Sequence, residues 1–371
     1  MAGSNTFGGT IKLLSTFPND ASELLSQRTL WCLTRDCINA RINLVFQFYA
    51  VLVQLRRKRP AYNIKNKGCE NVSTLQIQTV LFNNEKSALL KSLDSIKRAL
   101  EVSTFHTKEF NMARVCYGDA SPVRLFSGEE INELNQKYGK VFSLSYTYFD
   151  CNTGTSKGHN LLAKNCEMDY LILMNPDVIF SPRVLIEVMK LFHDENLNAG
   201  IVEGRQTPIE HPKDYDKRTG ETSWSSGACS VIKTETFHQV GGYDEETFFM
   251  YCDDVDLSWR VKLLGKKIIY QPLAPVFHAK RLSGKGQWQP TSAEKYYSAE
   301  AALLMAYKWS NNKLLSKLIS TFKSSSDENL LKAVKNFELR KEQNSLPEQL
   351  DKEHKVSQFI NGNYAEHRFL L

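Results

Sequence analysis

From residue 76 the chain repeats one local pattern: a short β-prone run, a polar turn, then apolar residues at helical spacing. Residues 76–82 alternate at first and then become continuously apolar, Asn83-Asn84-Glu85-Lys86 follows, and Leu89, Leu90, Leu93, Ile96 and Leu100 recur every three or four positions. Residues 113–117 and the turn at 118–122 open a second unit, and 141–146 predict a third strand. Residues 170–174 (Tyr-Leu-Ile-Leu-Met) read as a fully buried strand with a helix behind it over 184–192. Alternation of this kind predicts an α/β fold with a mainly parallel sheet that binds its ligand at the C-terminal ends of the strands. Residues 199–202 predict one more strand, and the polar stretch 206–222 a surface loop placed to touch substrate. Beyond 285 the pattern turns helical, over 292–309, over 312–322, and through Leu330, Leu331, Val334 and Phe337. The expected organisation is an N-terminal helical extension over 1–72, an α/β domain over 73–285 and a C-terminal helical region over 286–371.

Composition narrows the function classes. A chain of 371 residues, 42% hydrophobic and 24% charged, has enough apolar material for a large domain. Its net charge of +6 has no concentrated basic face, which argues against nucleic acid and remains compatible with a phosphate-bearing ligand. The eight cysteines form no Cys-x-x-Cys pair, so neither a zinc site nor a redox pair is expected. With no cleavable signal peptide at the start, the expectation is a cytoplasmic protein with reduced thiols. Residues 42–55 are apolar but interrupted by Asn43, Gln47 and Gln54, and fall short of the roughly 20 residues that cross a bilayer. Arg56-Arg57-Lys58-Arg59 follows directly, so the segment is either a packed helix with a solvated end or a helix lying at the inner face of the cytoplasmic membrane.

Five groups of residues are candidates for chemistry. Asp177 follows the strand at 170–174 within Asn175-Pro176-Asp177, where it is either a turn residue or a ligand for a hard divalent cation. Asp253, Asp254 and Asp256 precede a helical pattern whose first turn favours negative charge. Capping accounts for Asp253 or Asp256 and leaves one carboxylate to act as a general base. His278 closes two strand-like runs and is either structural or a nitrogen ligand for a metal such as manganese. The glycine-bearing loop 152–160 can bring backbone N–H groups to a phosphate. Trp224, just before Ser225-Ser226-Gly227, either stacks on a sugar or fills a core.

The stretch Gly227-Ala228-Cys229-Ser230-Val231-Ile232-Lys233, then Val240-Gly241-Gly242-Tyr243-Asp244-Glu245, then the run Phe248 to Arg260 with its Asp253-Asp254-Val255-Asp256 core, resembles family 2 glycosyltransferases. Rhamnosyltransferase-like and galactofuranosyltransferase-like members that build bacterial surface polysaccharides such as O-antigen are the nearest in pattern. The likeness runs over residues 76–310. It implies a GT-A (Rossmann-like) fold, a nucleotide-diphosphate sugar donor, a divalent metal (Mn2+ or Mg2+) and inversion at the anomeric carbon. It places Asn175-Pro176-Asp177 at the family's Asp-x-Asp motif, with Asn175 in place of one carboxylate; Asp177 and His278 would hold the metal. Asp254, second of the acidic pair Asp253-Asp254, would be the base. On the donor side the resemblance implies Phe82, Asn83 and Asn84, Asp119 on the nucleotide base, and Lys157 and Asn160 in the glycine-bearing loop. Trp224, Ser226 and Gly227 would border a glycan or lipid-linked acceptor. A catalytically silent nucleotide-sugar or glycan-binding module of an assembly complex is the competing reading, and a membrane surface and a second copy of the chain are further candidate partners.

Overall fold

A computed structural model describes residues 72–209, 214–278 and 290–360. The apolar segment 42–55 and its basic cluster lie outside the described residues, as does the expected boundary at 285–286. Among the described residues nine strands form one sheet: β1 (Ser73–Leu81), β2 (Phe110–Asp119), β3 (Ser143–Tyr148), β4 (Tyr170–Met174), β5 (Val178–Phe180), β6 (Ala199–Thr207), β7 (Glu221–Thr222), β8 (Cys229–Lys233) and β9 (Lys267–His278). Their order is β3-β2-β1-β4-β8-β6-β9-β5, with β7 added on β9. β3, β2, β1 and β4 are parallel, β8 runs antiparallel between β4 and β6, and β6 and β9 are parallel again.

The helices named here are α1 (Lys86–Thr107), α2 (Gly128–Tyr138), α3 (Gly154–Ala163), α4 (Val184–His193), α5 (Thr234–Gln239), α6 (Asp253–Leu263), α7 (Ser292–Lys308), α8 (Asn312–Lys323) and α9 (Glu328–Glu342). All five residues of β4 are buried because both faces of the sheet are covered. Tyr170, Ile172 and Met174 join a core with Leu89, Leu93 and Val188, whereas Leu171 and Leu173 face Ile232, Leu257 and Val261. The alternation in β1 has another origin. Gln76 and Gln78 point to a buried face, and α3 supplies their partners: Gln76 donates to Leu162 O at 3.0 Å and Gln78 to His159 O at 3.0 Å. Burial holds the His159 imidazole down at about 4, so it is neutral.

Three sequence expectations need correction. Residues 154–163 are helical, so the expected glycine loop supplies only its first residues as loop. Gly154 turns the chain with φ +64° and lies so close to Phe249 O that a Cβ would sit 2.3 Å from it. Gln206 and Thr207 belong to β6, not to a surface loop, because they pair with Val276 and Phe277 of β9. The runs at 268–270 and 274–277 form one strand, with a shift of register opposite Gly204 and Arg205.

α7, α8 and α9 close a separate apolar cluster in which Trp259 of α6 meets Trp309, Leu304 and Phe337. Among the described residues no helix is long and apolar enough to cross a membrane.

Candidate functional site

Leu81, Asp119, Tyr148 and Met174 end the four parallel strands, and the loops that follow them define one edge of the sheet. At that edge the two-residue segment Gly227-Ala228 joins two groups of polar side chains. The Gly227 N–H donates to Asp254 Oδ2 at 2.9 Å, and the Ala228 carbonyl accepts from the Asn175 N–H at 3.0 Å. A Cβ on residue 227 would lie 3.5 Å from the Asp254 Cβ, so backbone and carboxylate are in close contact.

The acidic group opens α6. Tyr251 and Cys252 take left-handed conformations, φ +67° and +58°, which turn the chain sharply into the helix. Asp253, Asp254 and Asp256 then fall in its first turn, where the helix dipole favours negative charge. Their surroundings differ. Asp254 is half-buried and, among the described residues, held by the N–H groups of Gly227 and Val255, the latter at 2.8 Å to Oδ1. Asp253 is buried and accepts from Ser156 Oγ at 3.2 Å; burial, and then the neighbouring Asp254, push its carboxyl up to about 7. Asp256 is fully buried and accepts from Arg260 Nε at 2.7 Å, Lys308 Nζ at 2.7 Å and Trp309 Nε1 at 3.0 Å. The expected acidic first turn is present, but Asp253 and Asp256 make no cap hydrogen bond: the N-cap is Cys252, and no side chain caps it.

Asn175, Asp177 and His278 form the second group. The antiparallel pairing of β5 with β9 sets Val178 opposite His278, which delivers the imidazole beside the turn. His278 Nε2 lies 3.4 Å from Asp177 Oδ1 and 3.4 Å from Asn175 Nδ2, and His278 Nδ1 lies 2.9 Å from Gln206 Oε1. Oxygen from Asp177, nitrogen from His278 and, after an amide turn, oxygen from Asn175 make a donor set that suits Mn2+ or Mg2+ with further positions for phosphate and water. The 3.4 Å between Asp177 Oδ1 and His278 Nε2 is close to the roughly 3 Å that separates adjacent ligands of an octahedral ion bound at about 2.1 Å. Among the described residues no set of three or more His, Cys, Asp and Glu side chains gathers for a metal, and position 175 in this corner is an asparagine.

The donor-side candidates divide. The Phe82 N–H donates to Asn84 Oδ1 at 2.8 Å and the Asn83 N–H to Ser121 Oγ at 2.8 Å, so this exposed turn is tied to the loop after β2. Asp119 is fully buried. Its oxygens accept from the N–H groups of Ser121 at 3.0 Å and Leu125 at 2.8 Å and from the Tyr146 hydroxyl, so it shapes the loop over 120–126. That phenol is pushed up to about 12 by burial and by Asp119. Lys157 is exposed on α3. Asn160 is a correction: its amide donates to Tyr243 O at 2.8 Å and Glu245 Oε2 at 2.7 Å while its oxygen accepts from the Tyr243 N–H at 2.8 Å. It clamps the 241–245 loop, with both of its N–H groups and one lone pair of its oxygen engaged there. Trp224 is a second correction, since it is 5% exposed in the cluster around Trp259 and Trp309 and offers no face to a sugar. Ser226 is buried and accepts from the Ala228 N–H at 3.3 Å, which leaves Gly227 as the member of that trio beside Asp254.

Sequence reasoning did not find Ser156, Gln206 or Lys308. The Thr155 N–H donates to Phe249 O at 3.0 Å alongside the Ser156 contact, so the start of α3 is fastened to the start of α6. No local periodicity signals such a contact, because its partners lie about a hundred residues apart.

No family model matches the chain. It is 27% identical to rhamnosyltransferase WbbL of Escherichia coli (strain K12) across 30% of this chain and 51% of that protein. It is 46% identical over 57 residues to the N-acetylglucosaminyl-diphospho-decaprenol L-rhamnosyltransferase of Mycobacterium tuberculosis (strain ATCC 25618 / H37Rv), 15% of this chain and 18% of that one. The chain thus spans about half the length of the first of these curated relatives and less than a fifth of the second. The crystal structure of GalNAc-T7 with UDP, GalNAc and Mn2+ superposes with a TM-score of 0.53 at 13% identity, over 77% of this chain and 57% of that one. The fold is that of the GT-A glycosyltransferases, and the local sequence likeness to two bacterial rhamnosyltransferases is consistent with family 2 of that fold.

Proposed function

We propose that the chain transfers a sugar, with inversion, from a nucleotide-diphosphate donor to a hydroxyl of a glycan or lipid-linked acceptor in bacterial surface polysaccharide synthesis. The observation that carries this reading is the half-buried Asp254 carboxylate, held by the Gly227 N–H while the next residue, Ala228, holds the Asn175-Pro176-Asp177 turn. Relatives named as rhamnosyltransferases, one of them for a decaprenol-linked acceptor, support the substrate class.

Asp254 is the group free to take a proton. Gly227 and Val255 fix its two oxygens by backbone donation, and its partial exposure leaves lone pairs for an acceptor hydroxyl. In a single displacement the hydroxyl oxygen bonds to the anomeric carbon, its proton passes to Asp254, and the bond from that carbon to the diphosphate oxygen breaks with its electron pair on the diphosphate. Attack opposite the leaving group inverts the centre. Asp177 and His278, with Asn175, would hold a divalent cation, which when bound offsets the charge of the diphosphate. The start of α3, with the exposed Lys157, and the turn over 82–84 border the donor side.

The test offers the protein dTDP-rhamnose, UDP-hexoses and UDP-galactofuranose with polyprenyl-diphosphate sugar acceptors, in Mn2+, in Mg2+ and in EDTA. Nucleotide diphosphate release and product mass are followed, with the anomeric configuration read by NMR. At least one donor should give an inverted product that requires the cation. Saturable donor binding without product or hydrolysis would establish the silent binding module instead, and a retained configuration would exclude the displacement above.

A further inference from the structure

Gln206 and His278 come from neighbouring parallel strands. Gln206 is in register with Val276, two residues before the histidine, so the two side chains rise on the same face. Both are buried, and His278 Nδ1 lies 2.9 Å from Gln206 Oε1. A carboxamide oxygen only accepts, so Nδ1 carries the hydrogen, and in the neutral ring Nε2 keeps its lone pair. That lone pair faces the Asn175 Nδ2–H at 3.4 Å and lies 3.4 Å from the Asp177 carboxylate. Asp177 and Asn175 both stand on the Nε2 side, so neither can choose the tautomer through Nδ1. The opposite orientation of the Gln206 amide would place the hydrogen on Nε2, aimed at Asp177, and close the position to a cation.

We propose that Gln206 is a positioning residue for the Asp177–His278 corner: its Oε1 fixes the imidazole as the Nδ1–H tautomer and holds Nε2 ready for a divalent cation shared with Asp177. The inference rests on the reading of this corner as a metal site. Metal-ligating histidines are commonly held through their second nitrogen by an acceptor in this way, which fixes the ring and raises the basicity of the ligating atom. Here the acceptor is a neutral carboxamide on a strand interior, which adds orientation without adding charge.

Two measurements on the full chain test it. In EDTA, two-bond 1H–15N correlation of the 15N-histidine-labelled protein, with His278 assigned by the signal missing from His278→Ala, should show the Nδ1–H form. An Nε2–H form overturns the inference. Mn2+ binding is then followed by electron paramagnetic resonance, with the metal alone and with added uridine or thymidine diphosphate, for the wild type, His278→Ala, Gln206→Leu and Gln206→Glu. Gln206→Leu should weaken binding about 10–100-fold, the range typical of lost outer partners. Gln206→Glu, which keeps the acceptor, should restore it. Gln206→Leu within twofold of the wild type while His278→Ala loses binding overturns the role of Gln206 and leaves the metal site standing. A wild type with no saturable Mn2+ binding overturns the metal site and the inference with it.

Discussion

The two groups that meet at Gly227-Ala228 are built by opposite means. At the start of α6 the carboxylates are fixed by many partners, and Asp256 alone receives Arg260, Lys308 and Trp309. At the Asn175-Pro176-Asp177 turn, the contacts of Asp177 and Asn175 with His278 are both 3.4 Å, and the short bond is the one to Gln206 behind the imidazole. The first group is complete as the chain folds it. The second brings Asp177, Asn175 and His278 close without a short contact between the histidine and either of the others, which is what the proposed cation site asks of them. A rigid anchor beside a ligand-dependent corner predicts that substitutions in the two will separate in their readouts, with activity and stability on one side and cation dependence on the other.

Replacing Asp254 tests the sharpest form of that contrast and has the largest expected effect. Asp254→Asn keeps the shape and the half-buried setting but cannot accept the proton, so transfer should fall about 10²–10⁴-fold, the usual range for a general base. Mn2+ affinity should stay near the wild type because Asp254 takes no part in the buried ion network, and the melting temperature should fall modestly because the amide can accept from only one of the Gly227 and Val255 N–H groups. Transfer within a few fold of the wild type would remove Asp254 from the mechanism.

Lys308 tests the anchor. Its ammonium is 4% exposed and bonds to Asp244 at 2.6 Å and Asp256 at 2.7 Å, tying α7 to α6 and to the loop before it. Lys308→Met fills much of the same volume but leaves Asp256 with Arg260 and Trp309 only. Removing one member of a buried ion network costs about 3–5 kcal/mol, here expected near the low end because Arg260 remains. Urea unfolding should show that loss, with activity falling only in proportion to the folded fraction. A change below about 0.5 kcal/mol would mean that the helices beyond 290 do not brace α6 through this contact.

These outcomes bear on what was legible in the sequence. The alternation of strands and helices, the buried run at 170–174 and the three aspartates of α6 all follow from local pattern, and the structure holds each of them. The partition among those aspartates was not legible, because the partners that distinguish them are Ser156, Gly227, Lys308 and Trp309, all distant in the chain. Trp224 and Asn160 misled for the same reason: a polar or aromatic residue beside a functional motif looks like a contact until Trp259 or Tyr243 is seen to occupy it. Gln206 was hidden by its polar neighbourhood, since strand pairing with β9, not hydropathy, buries it.

Asp253 gives the finest test, because it separates the two aspartates that sequence alone could not rank. Its carboxyl is pushed up to about 7 by burial and by Asp254, whereas in the unfolded chain it returns to the ordinary value of 3.8. Between about pH 4 and 7 the folded protein therefore holds a proton that the unfolded chain has released. More protons bound in the folded state means that stability falls as pH rises through that window and levels off above it. Asp253→Asn removes the titration while keeping an acceptor for Ser156 Oγ. The variant's stability relative to the wild type should rise by about 3 kcal/mol between pH 4.5 and pH 8, measured by urea unfolding at the two values. An equal difference at both values would show that Asp253 is charged in the folded protein at neutral pH, and would make it rather than Asp254 the carboxylate placed to accept a proton.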